Sequence, residues 1–152
     1  MEIDRNGLEV LDDATCRTLL ASATVGRVGL CSGALPTVLP INFLLTDDGV
    51  VFRTGRGSKL AAATHGAVVA FEADDIDSMT HSGWSVVVTG MAREISALDD
   101  LERLRRLPLA HWGDSVADRY VVISTDIVSG RRIPQAGSAM RMVRAGPGQV
   151  KR

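Results

Sequence analysis

Val50-Val51-Phe52-Arg53-Thr54-Gly55-Arg56-Gly57-Ser58-Lys59-Leu60-Ala61-Ala62-Ala63 is the stretch on which the reading of this chain turns. An apolar strand, Val50 to Arg53, runs into a loop with two glycines, and Ser58 opens a short helix rich in alanine. Such a junction suits an anion. Glycine lets a backbone approach a ligand closely. The first helical turn offers unpaired N–H groups at the positive end of the dipole. Thr54 and Ser58 add hydroxyls, and Arg53, Arg56 and Lys59 add cations. An ordinary strand-to-helix loop with Ser58 as N-cap explains the same residues equally well. The glycine spacing is neither that of a Walker A loop nor that of a dinucleotide fingerprint.

Working outward, Thr46-Asp47-Asp48-Gly49 is a tight hairpin turn in front of that strand. Pro36 to Leu45 reads as a strand, preceded by a Ser32-Gly33 turn and a strand from Gly26 to Cys31. Leu11-Asp12-Asp13 starts a helix with an aspartate cap, with Leu19, Leu20 and Ala23 on its apolar side. Downstream, Ala67 to Ala73 and Gly83 to Ile95 read as strands, with a polar, turn-like Asp74 to Ser82 between them. Asp99 to Leu107 is an amphipathic helix stopped by Pro108. Arg119 to Ser124 and Ile127 to Ile133 form a last strand pair. There is no internal repeat.

Six or seven strands, short hairpins and a few small helices predict a mainly β (α+β) fold, a closed or nearly closed antiparallel barrel over residues 1–133. Val68-Val69-Ala70-Phe71 and Val86-Val87-Val88 are apolar at nearly every position, which predicts cover on both faces. With so few helices, a second copy of the chain is the simplest cover. From Pro134 onward the composition turns to Gly, Pro, Ala and base with no acidic residue, which predicts a disordered tail over 134–152.

The 17 basic and 18 acidic residues nearly cancel, so no net field favours nucleic acid or an anionic membrane. No apolar run approaches the ~20 residues that span a bilayer. Met1-Glu2-Ile3-Asp4-Arg5 lacks a signal-peptide layout, and Cys16 and Cys31 read as buried thiols of a reducing cytoplasm. A cytoplasmic protein is the expectation. His65, His81 and His111 are widely spaced and lack partners for a metal site, although His81 stands just before Gly83-Trp84. Glu72, Asp74, Asp75 and Asp77 read as a solvated acidic connection. The basic C-terminus has no aromatic residues beside it, which speaks against nucleic acid.

Taken in order, these motifs resemble the flavin-binding split-barrel proteins, the pyridoxamine 5′-phosphate oxidase-like group, and most of all its small actinobacterial-type members. The matching pieces are Val25-Gly26-Arg27-Val28, Pro40-Ile41-Asn42-Phe43, Phe52-Arg53-Thr54 with Gly57-Ser58-Lys59-Leu60, Val69-Ala70-Phe71-Glu72, Gly83-Trp84-Ser85-Val86-Val87-Val88-Thr89-Gly90 and Ser129-Gly130-Arg131-Arg132. The likeness spans roughly residues 10 to 133, and it lies in the order and spacing of the motifs rather than in any one of them. It implies a homodimer with FMN in clefts at the subunit interface.

By position, the resemblance places Val38, Leu39, Pro40, Ile41, Asn42 and Phe43 along the isoalloxazine edge, with backbone groups bonding the ring. It places Arg53 and Thr54 under the ribityl phosphate, and Ser58 and Lys59 on the phosphate itself. Ser85 stands where the oxidases carry a longer glutamine that touches the cofactor. Trp112 and Arg119 fall where an aromatic and a base close the site from the partner chain. The oxidases' substrate-phosphate cluster has no counterpart here, so their vitamin oxidase activity does not carry over.

The implied function is an FMN-dependent oxidoreductase acting on a small molecule such as a nitro compound, a quinone or a reduced nicotinamide. No Ser-His-Asp or paired-carboxylate set competes with that reading, since the cofactor would carry the chemistry. A deazaflavin on the same fold is the second reading, and a flavin- or haem-binding protein without turnover is the third.

Overall fold

The computed structural model describes residues 1–110, 112 and 116–135. In chain order the elements are β1 (Glu2–Ile3), β2 (Glu9–Leu11), α1 (Asp13–Ser22), β3 (Val25–Ser32), β4 (Leu35–Asn42), β5 (Leu44–Thr46) and β6 (Gly49–Thr54). There follow α2 (Lys59–Thr64), β7 (Val68–Asp77), β8 (Ser82–Glu94), α3 (Leu98–Arg105), β9 (Arg119–Ile123) and β10 (Ile127–Ile133). Every strand pairing is antiparallel. The order β1-β2-β10-β8-β7-β3-β4 forms one wall, and β5-β6-β9 forms the other.

The two walls share β8. Its residues 83–89 pair with β10, residues 82–91 pair with β7, and Ala92, Arg93 and Glu94 cross over to β9. Gly90 stands at this corner, where an added Cβ would lie 1.8 Å from the Ser124 carbonyl oxygen, so only glycine lets the strands pass that closely. The result is a split antiparallel β-barrel, as the sequence predicts. Its interior holds Val28, Phe43, Val50, Phe52, Phe71, Val86, Val88 and Ile123, all buried. Helix α1 closes one side of this core with Cys16 and Leu20. Its cap is Asp12, whose carboxylate accepts the Thr15 N–H at 2.7 Å.

Four local expectations change. Among the described residues ten strands form where six or seven were expected, because β1 and β2 add an edge and the segment 36–45 divides. The division falls at Phe43. Its ring packs edge-on against Phe71 at 4.6 Å between centroids, and its N–H donates to the Thr24 carbonyl, so the chain leaves one wall and enters the other. The acidic stretch is strand as far as Asp77, leaving only residues 78–81 as turn, because it pairs with β8 down to Asp77–Ser82 while Arg27 reaches across from β3 to offset the charges of Glu72 and Asp74. Cys31 is exposed rather than buried, on the outward side of β3.

Burial alternates along the first wall. Val69, Phe71, Val86 and Val88 point inward, while Val68, Val87 and Met91 are exposed on the other side. The second wall differs: Val50 and Phe52 face the barrel, and Val51 joins Ile95, Leu104, Leu109, Tyr120 and Val122 in a second core beneath α3.

Candidate functional site

Strand β4 ends the first wall and pairs only with β3 among the described residues. Leu39 and Ile41 turn inward, whereas Val38 and Pro40 are exposed on the outward face. The backbone alternates likewise. The Phe43 N–H donates to Thr24 at 3.0 Å, so odd-numbered residues bond β3 and even-numbered ones turn toward the free edge. Pro36 and Pro40 fit that parity, since proline has no N–H to give and belongs where the N–H points away from the ladder. The free edge therefore presents the N–H groups of Val38 and Asn42 and the carbonyls between them. At its end the Asn42 side-chain Nδ2 is buried with no hydrogen-bond partner among the described residues. An orphaned buried donor is costly unless something accepts from it.

At the strand-to-helix junction, Ser58 is the N-cap of α2. Its Oγ caps α2 by accepting the Ala61 N–H at 2.9 Å, and it shares a 2.7 Å hydrogen bond with the Thr54 hydroxyl. Thr54 is buried at the end of β6. Gly57 takes φ +72°, the left-handed conformation glycine adopts without strain. The Lys59 side chain lies outside the described residues. Arg56 is largely exposed, with Asp118 at 3.7 Å.

Arg53 does not point freely toward this loop. Its Nε and Nη2 donate to the Ala117 carbonyl at 3.0 and 2.6 Å, its Nη1 donates to Leu109 at 3.4 Å, and the guanidinium lies 5.5 Å from the Tyr120 ring centre. Arg119 stands beside Thr54 in the β6–β9 register and makes a short ion pair with Glu94. Trp112 is half exposed.

Ser85 lies in the first wall, opposite Asp74 on one side and Arg131 on the other. The site residues thus form two groups: Val38, Pro40, Asn42 and Ser85 on the outward side of the first wall, and Arg53, Thr54, Ser58 and Arg119 around the end of the second. Ile41 and Phe43 are core residues whose side chains are buried and whose N–H groups turn to the β3 side, so the edge is offered by their even-numbered neighbours.

Sequence reasoning missed the charge cluster in the middle of the outward face. Arg27 bonds Glu72 at 2.9 Å and Asp74 at 3.2 Å. Burial pushes the Glu72 carboxyl above its ordinary range against the pull of Arg27, and the Asp74 charge adds to the rise. The signal was an opposite-charge pair at facing positions of β3 and β7, which becomes visible only once those strands are paired. His65 and His81 are exposed, and the reading of His111 lies outside the described residues, as does that of the tail from residue 136. No three His, Cys, Asp or Glu side chains converge on a common point among the described residues. No described helix is long and apolar enough to cross a membrane.

A split antiparallel barrel with one free strand edge and a glycine-containing strand-to-helix loop is the architecture of a known class. The family of pyridoxamine 5′-phosphate oxidases matches residues 12–132, and the chain belongs to it. Among curated proteins, an uncharacterized Mycobacterium tuberculosis protein is 42% identical over 128 residues, 81% of this chain and 84% of that one. Among solved structures, the FAD binding protein from Mycobacterium smegmatis is similar at 33% identity and TM-score 0.69, covering 82% of this chain and 96% of its own. A conserved Corynebacterium diphtheriae protein of unknown function aligns at 27% identity and TM-score 0.70, over 84% of this chain and 98% of that one.

Proposed function

We propose that this chain is a flavin-dependent oxidoreductase that works as a homodimer and holds FMN between the free edge of β4 and the loop from Thr54 to Lys59. The observation that carries the reading is the orphaned Asn42 Nδ2 at the end of a strand edge with unused N–H groups. A flavin ring offers carbonyl and ring-nitrogen acceptors to such a row of donors. The hydroxyls of Thr54 and Ser58 and the first turn of α2 suit its phosphate, and Lys59 would add the charge. Bound flavin supplies two-electron redox chemistry. The protein's part is to grip the ring edge through backbone, to neutralise the phosphate, and to exclude water with the second copy lying over Val38, Val68, Val87 and Met91. Ser85 would meet the cofactor from the outward face of the first wall, and Trp112 and Arg119 would close the site from that second copy. The substrate is a small molecule.

The 33% identical FAD binding protein favours a second reading, in which the same ring and phosphate positions serve FAD. The absorption spectrum after desalting, with chromatography of the released cofactor, tests both. FMN released from a yellow protein supports the first reading, and FAD supports the second. Retention of a deazaflavin alone would replace both, and a Soret band would point to haem. Repeated bleaching by a reductant and recovery with an acceptor would distinguish an enzyme from a carrier. Lys59→Ala is expected to weaken FMN binding by about 1.5–3 kcal/mol, as for a hydrogen bond to a charged group. Titration calorimetry checks this, and unchanged affinity would remove the phosphate from the loop.

A further inference from the structure

We propose that Arg53 is a positioning residue: its guanidinium staples the backbone leading into β9 against the strand-to-helix loop and so holds the loop's outer wall, instead of binding the cofactor's phosphate. The proposal rests on the flavin reading of that loop. A cation at the end of β6, beside an anion site, invites assignment as a phosphate ligand. The geometry points elsewhere. Two of its donors converge on one carbonyl, Ala117, and a third reaches Leu109, so the fork joins the two ends of the connection between α3 and β9. Both acceptor residues are buried, and the guanidinium also lies over the Tyr120 ring. Turning Arg53 toward a ligand would strip these carbonyls of their donors within a low-dielectric setting.

The stapled backbone lies directly against the loop. The Val116 carbonyl oxygen would stand 3.4 Å from a Cβ on Gly55, Asp118 faces Arg56 at 3.7 Å, and Arg119 pairs in register with Thr54. Residues 116–119 therefore run beside residues 54–56. Ser58 and Thr54 fix the loop from within, and this second strip fixes it from outside. Lysine cannot reproduce the staple, because an ammonium has no planar fork to span two carbonyls.

The test compares Arg53→Lys and Arg53→Met for FMN affinity by calorimetry, and for amide hydrogen exchange in the flavin-free protein, after thermal melts show that both fold. The staple predicts that both variants lose FMN affinity at least about tenfold, as for loss of a charged hydrogen bond. It also predicts faster exchange at residues 55–58 and 116–118 before any flavin is added. Affinity near wild type in Arg53→Lys with unchanged exchange would make Arg53 a phosphate ligand and overturn the proposal. Wild-type affinity in Arg53→Met would overturn it as well. A wild-type protein that takes up no FMN would remove the reading of the site. The exchange comparison would then decide the staple alone: faster exchange supports it, and unchanged exchange refutes it.

Discussion

Strands β6 and β8 carry the same kind of sequence and meet different fates. Val50-Val51-Phe52 and Val86-Val87-Val88 are both unbroken apolar runs, and both put alternate residues into the barrel. Beneath β6 the second face is covered by the chain itself, since Val51 is fully buried among Ile95, Leu104, Leu109 and Tyr120. Beside β8 nothing among the described residues covers the second face, and Val87 is 38% exposed with Val68 at 66% and Met91 at 51%. A continuous apolar run states that two faces want cover. It does not state who supplies it. The proposed dimer is the answer for the open face, where Val38, Val68, Val87 and Met91 are exposed.

Mutations can break this contrast at several points. The largest effect is expected inside the barrel, where Phe71→Ala should cost about 3–5 kcal/mol in denaturant unfolding. Next comes the covered second face. Leu104→Ala should cost about 2–5 kcal/mol, because Leu104 is 2% exposed and anchors α3 over β6. A surface-like loss there would mean that α3 is a loose appendage. On the open face, Val68→Asp should leave the folded chain's own stability within about 0.5 kcal/mol while abolishing association in sedimentation runs. Unfolding of that variant's monomer would show that the open face matters to the single chain as well.

The smallest effect concerns pH. Backbone N–H donors hold Asp4 (from Leu8), Asp12 (from Thr15) and Asp77 (from Thr80) below the ordinary aspartate range, with Arg131 also lowering Asp4. Their stabilisation is present above the unfolded value near 3.8 and is lost as pH falls through their folded values. Glu72, raised chiefly by burial, has the opposite sign: its contribution is full below its unfolded value near 4.5 and is lost as pH rises through its folded value. Glu72→Gln should therefore steepen the loss of stability on acidification, read as unfolding midpoints across the acid range. A parallel profile would remove the open face's charge cluster from the account.

Much of the second wall was legible because its signals are local. The Asp48-Gly49 turn, the strand before Thr54 and the Ser58 cap each lie within a few residues of what they determine. What was not legible depends on partners far along the chain. Asp74 looked like part of a turn because Arg27, 47 residues before it, is invisible to a local reading. Phe43 broke a strand because its ring belongs to Phe71. Strands β1 and β2, of two and three residues, are too short to show alternation. Within the candidate site, the residue types at 53, 54 and 58 suggested an anion loop, but charge alone could not reveal that Arg53 spends its donors on Ala117 and Leu109.

The central claim is that the open face of β3, β4, β7 and β8 is closed by a second copy with flavin at the β4 edge. Sedimentation equilibrium of the FMN-reconstituted, desalted protein, followed at once by protein and flavin absorption, tests it most directly. A single species of twice the chain mass is expected at micromolar concentration, with flavin co-sedimenting at one per chain. A stable, folded monomer would contradict it, whether yellow or colourless.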